Sequence, residues 1–255
     1  MLKKLTNNFN FQLIVFTLIV FISRLPFLNA GYGTEEDSWG IAVAAHNTMA
    51  SGIFEASRLP GHPVQELIYS AIWGAGPLVF NLLSAVFSTI AVMFFVLFLK
   101  TLGFKKYFLA GLAFAFTPVV YIASTYTIDY MWTCALIFIS LYFLIKQRIG
   151  LAAIILGLAI GCRITSVVLL LPFSIILLDF KIPYFNIKKI LLLWLSTTVI
   201  GILCYLPVID VYGINFFTYS DQFPYPTLEK VFYKASFGVW GLLGILAILL
   251  CCLIN

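Results

Sequence analysis

The chain has 255 residues, 62% of them hydrophobic and 10% charged, with a mean hydropathy of +1.06. An ordinary soluble domain carries about a quarter charged residues; that class is excluded, and repeated apolar runs of about 20 residues point to bilayer spans. The formal net charge of +5 does not indicate a nucleic-acid partner, because the basic residues sit in short clusters between apolar runs and form no stripe.

Lys3 and Lys4 precede the apolar run Phe11 to Ile22. Apolar character resumes past Arg24 to Leu28, and Leu28-Asn29-Ala30 lacks a small-x-small cleavage pattern. The segment is therefore read as a retained first helix, with Arg24 snorkelling to the outer interface. Residues 29–76 form a long outer loop. Within it, Ser38 to Met49 favours a short helix, and Pro63 to Trp73 a second. In the second, Val64, Leu67, Ile68, Ala71 and Ile72 make one apolar stripe, with Gln65, Glu66 and Ser70 off it, Pro at the first helical position and Gly74 at the end. Too short to span, it is expected to lie in the membrane surface plane with Trp73 at headgroup level.

Seven further apolar runs follow, at 77–99, 107–123, 133–145, 150–161, 164–180, 190–207 and 237–254. The run at 150–161 is short, and that at 164–180 is broken near its middle by Pro172. The expected fold is an all-α polytopic bundle of about eight spans, one integral membrane domain over 1–255. Its last outer loop, 208–236, is bounded by Tyr205, Asp210 and Tyr212 and contains the turn Phe223-Pro-Tyr-Pro226. The chain stops at Cys251-Cys252-Leu-Ile-Asn255 without the basic cluster that ends the other inward runs, so a fragment of a longer protein is expected. No internal repeat of the transporter kind is visible. The five cysteines, Cys134, Cys162, Cys204, Cys251 and Cys252, have neither metal spacing nor paired outer positions, and read as small core hydrophobes.

Charge sets the orientation. With the N-terminus inside, Lys3, Lys4, Lys100, Lys105, Lys106, Lys146, Arg148, Lys181, Lys188 and Lys189 are cytoplasmic, while Arg24, Arg58, Arg163, Lys230 and Lys234 fall outside. That bias has the expected sign. It places the loop 29–76 extracytoplasmic, and the membrane is expected to be the plasma (inner) membrane.

The loop carries three consecutive carboxylates, Glu35, Glu36 and Asp37. Acidic residues at a helix start can cap free N–H groups and complement the dipole; one suffices for that, and three repel each other. The other use is chemistry: a general base, with a divalent metal ion held by Glu36 and Asp37 as one form of the site.

One long first outer loop with an acidic pair, two membrane-surface helices and the turn Arg58-Leu-Pro-Gly-His-Pro63 resembles the C-type membrane glycosyltransferases (the GT-C superfamily), to which protein O-mannosyltransferases and the aminoarabinose transferases of lipid A belong. Gly157-Leu-Ala-Ile-Gly161-Cys-Arg163 followed by Leu170-Leu-Pro172 is also similar. The resemblance covers roughly residues 10–210. It implies that a carboxylate early in the first outer loop activates the acceptor; here the pair is Glu36-Asp37, reversed from the family order, and Asp37 is taken as the base.

Asp129, in the second outer turn, is either a solvated loop acid or a second carboxylate facing the first loop. Arg58 and His62 either meet lipid headgroups and cap the helix at Pro63, or hold the phosphate of a lipid donor. Arg163 at the membrane rim either snorkels or pairs with a structural acid, or stabilises a departing lipid phosphate. Nucleotide sugars are cytosolic, and no glycine-rich phosphate loop occurs. The expected donor is therefore a polyprenyl-phosphate sugar, as the resemblance also implies. The acceptor is a glycan, lipid or protein, and one displacement inverts the anomeric centre. A secondary transporter or lipid flippase, and a non-catalytic membrane subunit, are the competing classes.

Overall fold

A computed structural model describes residues 8–178, 187–214 and 227–233. The described residues are helical, with no strand among them. The chain divides into two units, Met1–Phe216 and Phe217–Asn255. In the first, the α-helices are α1 (Phe9–Ile22), α2 (Glu36–Ser51), α3 (Pro63–Ala71), α4 (Gly76–Thr101), α5 (Tyr107–Ala115), α6 (Pro118–Ala123), α7 (Tyr130–Ile145), α8 (Ile149–Cys162), α9 (Leu170–Leu177) and α10 (Ile187–Tyr212). The described part of the second contains α11 (Leu228–Tyr233).

Among the described residues, three helical stretches are long and apolar enough to cross a membrane: Phe9–Phe27, Trp73–Thr101 and Ile187–Tyr212. The α7 and α8 helices are apolar but shorter, at 16 and 14 residues. At 1.5 Å per residue they reach about 24 and 21 Å, against a hydrocarbon core of about 30 Å. The expected run at 237–254 lies outside the described residues.

Close packing of small residues sets the centre of the bundle. A Cβ on Gly157 would sit 2.5 Å from Ile200 Cβ, and one on Gly161 would sit 2.6 Å from Cys204 Cβ and 2.5 Å from Val64 Cγ2. The spacing of Gly157 and Gly161 lets α8 approach α10 closely, as small residues four apart do in membrane helices. Thr197 Oγ1 donates to the Ala153 carbonyl across the same seam at 3.1 Å. On the other side Ser140 Oγ of α7 donates to the Ala152 carbonyl at 2.6 Å. Aromatic rings join α4 to α7, with Phe87 stacked on Trp132 at 3.9 Å.

Several local expectations change. The break after α8 is a 3-10 stretch, Ile164–Leu169, that becomes α-helical at Leu170. Pro172 lies in the first turn of α9, where its missing N–H costs nothing, so it is not the point of interruption. In contrast, α10 continues through Pro207 and ends at Tyr212 before Gly213, whose φ is +69°. Tyr205, Asp210 and Tyr212 are thus helical residues rather than loop boundaries. Arg24 does not snorkel: it is 0% exposed, donating to the Val20 and Ala115 carbonyls and to Ser124 Oγ. Its guanidinium lies over the rings of Phe116 and Tyr121. Carbonyl acceptors and aromatic faces replace the water that a snorkelling side chain would seek.

The α3 helix buries its polar side in the protein and leaves part of its apolar stripe exposed. Gln65, Glu66, Tyr69 and Ser70 are buried, while Leu67 and Ile68 are exposed. The polar side can be buried because it finds partners inside: Gln65 Nε2 donates to the Ile128 carbonyl at 2.9 Å, and Glu66 is fully hydrogen-bonded. Trp73, expected at headgroup level, is half-buried and stacked on Tyr32 at 5.9 Å.

Candidate active site

The site is built around the chain between α2 and α3. Gly52 ends α2 with φ +70°, and the chain turns back so that Ser57 runs beside Gly40 of α2. This places Arg58 against the first turn of α2. Its Nη1 lies 3.0 Å from Asp37 Oδ1 and 2.8 Å from Asp37 Oδ2. Each side chain keeps about a third of its surface open, at 38% and 32%. Glu36 is exposed and has no partner among the described residues. Glu35 occupies the N-cap position without a side-chain capping bond. Of the three adjacent acids, only Asp37 is turned to a cation.

A second group forms where α8 ends. Arg163 is extended, with φ −156° and ψ 110°, and its Nη1 donates to Asp129 Oδ2 at 2.7 Å. Its guanidinium stands 4.7 Å over the Tyr130 ring. Asp129 is 1% exposed, so it is not a solvated loop acid; a charge this deep needs its partner. His62 Nδ1 lies 3.8 Å from the same carboxylate oxygen and 2.8 Å from the Cys162 carbonyl. A carbonyl only accepts, so Nδ1 carries the proton. The His62 ring therefore ties the end of α8 to the start of α3; it does not cap α3.

Glu66 joins the two groups. Oε1 accepts from the Ser57 N–H at 2.8 Å and from Ser57 Oγ at 2.6 Å, and Oε2 accepts from the His62 N–H at 2.8 Å. The buried carboxylate thus closes the turn that carries Arg58 at one end and His62 at the other. Burial pushes its carboxyl above the usual range, while the neighbouring His62 and the three donors oppose that shift. Inside the turn the Leu59–Pro60 bond is cis and Gly61 has φ +86°. A Cβ on Gly61 would press on Ala56 at 3.3 Å. Tyr205 and Tyr212 of α10 clasp the turn from outside: Tyr205 Oη donates to the Gly61 carbonyl at 3.1 Å, and the Ala56 N–H donates to Tyr212 Oη at 3.1 Å.

The turn before α7 is fastened to the segment before α2 by backbone and amide bonds. The Thr127 N–H donates to the Tyr32 carbonyl at 2.9 Å. Thr127 Oγ1 donates to Asn81 Oδ1 at 2.8 Å, and Asn81 Nδ2 donates to the Leu28 and Gly31 carbonyls at 2.9 and 2.6 Å.

The six residues singled out in the sequence fall into two sets, Asp37 with Arg58, and Asp129 with His62 and Arg163, while Glu36 stands apart. Ser57 and Glu66 were missed. A Glu in the first turns of a helix opened by Pro, able to reach back to the N-cap N–H, was the available signal. Asp210 lies elsewhere, beside an apolar cleft of about 660 Å³ that Phe54, Leu67 and Leu206 also line. Glu36 faces solvent, both Asp37 oxygens face Arg58, and no three His, Cys, Asp or Glu side chains gather among the described residues. Compared with known proteins, the chain matches no family model, no curated protein and no solved structure.

Proposed function

We propose that the chain is an integral membrane glycosyltransferase that moves a sugar from a polyprenyl-phosphate donor to an extracytoplasmic acceptor. The observation that carries this is the pair of anchored, partly open guanidiniums, Arg163 on Asp129 and Arg58 on Asp37. A planar fork held by a carboxylate keeps further N–H donors directed outward, which suits a phosphate leaving group. In this reading the shorter apolar helices complete about eight crossings, the N-terminus is cytoplasmic, and residues 29–76 face out.

Asp37 takes the proton of the acceptor hydroxyl, and the hydroxyl oxygen attacks the anomeric carbon. The bond from that carbon to the phosphate oxygen breaks on the opposite face, and its electron pair leaves with the lipid phosphate. The anomeric centre inverts. Charge gathering on the phosphate is met by Arg163 and Arg58. No step uses a metal. A transporter or flippase would place its ionisable groups at mid-membrane on paired broken helices; here they gather on one turn and three helix ends.

The test is sugar transfer from a polyprenyl-phosphate donor in membranes at matched protein levels. Asp37→Asn should lower the rate roughly 100- to 10,000-fold, the range a general base contributes. It should still fold, since a partly exposed ion pair contributes about 0–1 kcal/mol. Glu36→Gln should transfer at close to the parental rate. If both variants match the parent, the proposal is wrong; if only Glu36→Gln falls, Glu36 is the base.

A further inference from the structure

We propose that Trp39 is the floor of a glycan-binding subsite, on which the apolar face of a hexopyranose ring stacks. The indole is 51% exposed yet does not swing freely. Its Nε1 donates to the Gly33 carbonyl at 2.9 Å, and its ring meets the edge of Tyr32 at 5.3 Å. Tyr32 in turn stacks on Trp73, and Trp73 meets His46 at 5.1 Å. The result is an indole held at its Nε1 and by Tyr32, itself stacked on Trp73, with about half of its surface open.

Its rim is polar. Glu36 lies one helical turn before Trp39 on the same face of α2; its carboxylate is exposed and has no partner among the described residues. Thr34 Oγ1 and Tyr126 Oη meet at 3.3 Å near the same loop. A pyranose has a C–H face that packs on an aromatic ring and an edge of hydroxyls that seek acceptors such as carboxylates. A fixed indole with an acidic rim complements both.

An exposed Trp also suits a membrane interface, and the charges decide against that occupant. Arg58 is the single Lys or Arg of residues 29–76, and it is already paired with Asp37. Setting Trp39 into lipid would carry Glu36 towards the headgroups with no cation to neutralise it. That the bound sugar is the acceptor rests on the transferase reading; the existence of the subsite does not.

The experiment uses the full chain in phosphatidylcholine nanodiscs, with the Trp39 fluorescence taken as the parent minus Trp39→Phe. Acrylamide quenching is measured with millimolar mannobiose, cellobiose, maltose and N,N′-diacetylchitobiose, and bromine-labelled phosphatidylcholine is used in a parallel set. At least one disaccharide should shield the Trp39 signal, and the brominated lipid should not quench it. Binding of that sugar, followed by ligand-observed NMR, should weaken about tenfold in Trp39→Ala, the loss expected of one aromatic contact, and recover in part in Trp39→Phe. No shielding by any of the four sugars, or quenching by the lipid alone, overturns the proposal. Shielding by a sugar in a chain that transfers none defeats the transferase reading and leaves the subsite standing; transfer without shielding does the reverse.

Discussion

Arg163 Nη1 donates to Asp129 Oδ2 across 2.7 Å, joining a carboxylate that is 1% exposed to a guanidinium side chain that keeps 34% of its surface open. The buried partner is fixed and the open one is directed by it. Asp129 is the fixed end of the pair and Arg163 the end that reaches the open side.

Removing that anchor has a defined consequence. Asp129→Asn leaves an oxygen that can still accept from Arg163 but deletes the charge, so a loss of about 1–3 kcal/mol is expected. Arg163→Lys keeps the charge and loses both the fork and the stack on Tyr130, so donor affinity should fall while the protein still inserts. Thermal unfolding in detergent and donor binding measure the two effects. Unchanged donor binding with poor folding in Arg163→Lys would make Arg163 purely structural.

Glu66 supplies a pH test. Its carboxyl is pushed above the ordinary value of 4.5 by burial, so the folded chain holds this proton more tightly than the unfolded chain. The stability that comes with that preference is complete below pH 4.5 and is lost as pH rises through the folded value. Glu66→Gln cannot titrate. The melting temperature of the parent relative to Glu66→Gln should therefore fall as pH is raised from 4.5. A difference that stays constant with pH would show that burial does not control this group.

Helix packing gives a test independent of function. Gly157→Ala would drive a methyl to within 2.5 Å of Ile200 Cβ, whereas a methyl on Gly150 meets nothing within 4 Å. Overpacking of this kind costs about 1–3 kcal/mol. Gly157→Ala should lower the melting temperature and Gly150→Ala should not. Equal effects would mean that α8 and α10 do not approach as closely as described.

Orientation is tested by labelling. Ser57 is a poor position because its hydroxyl and N–H both bind Glu66, so an exposed residue such as Glu35 serves better. A Glu35→Cys variant should react with an impermeant thiol reagent in intact cells, while buried Cys162 stays silent. Reaction only after the cells are opened would reverse the orientation and remove the basis for a lipid-linked donor.

Composition and periodicity alone pointed to a helical chain apolar enough to enter a membrane, because mean hydropathy depends only on composition and run length only on residue order. They also located α3 by Pro63 and its stripe, and marked Asp37, Arg58, His62, Asp129 and Arg163 as costly polar groups beside apolar spans. Which of these meet was decided by tertiary structure. Asp129 and Arg163 are 34 residues apart, and their pairing depends on how the end of α8 packs against the start of α7, which no local pattern encodes. The same holds for α3, whose stripe located the helix without saying which side the protein would bury. A hydrophobic pattern reports which face avoids water, and in a membrane protein lipid satisfies that face as well as a core does. The polar face then goes inside wherever partners wait, and here those partners are Ser57 and the His62 N–H just before the helix and the Ile128 carbonyl from a distant turn.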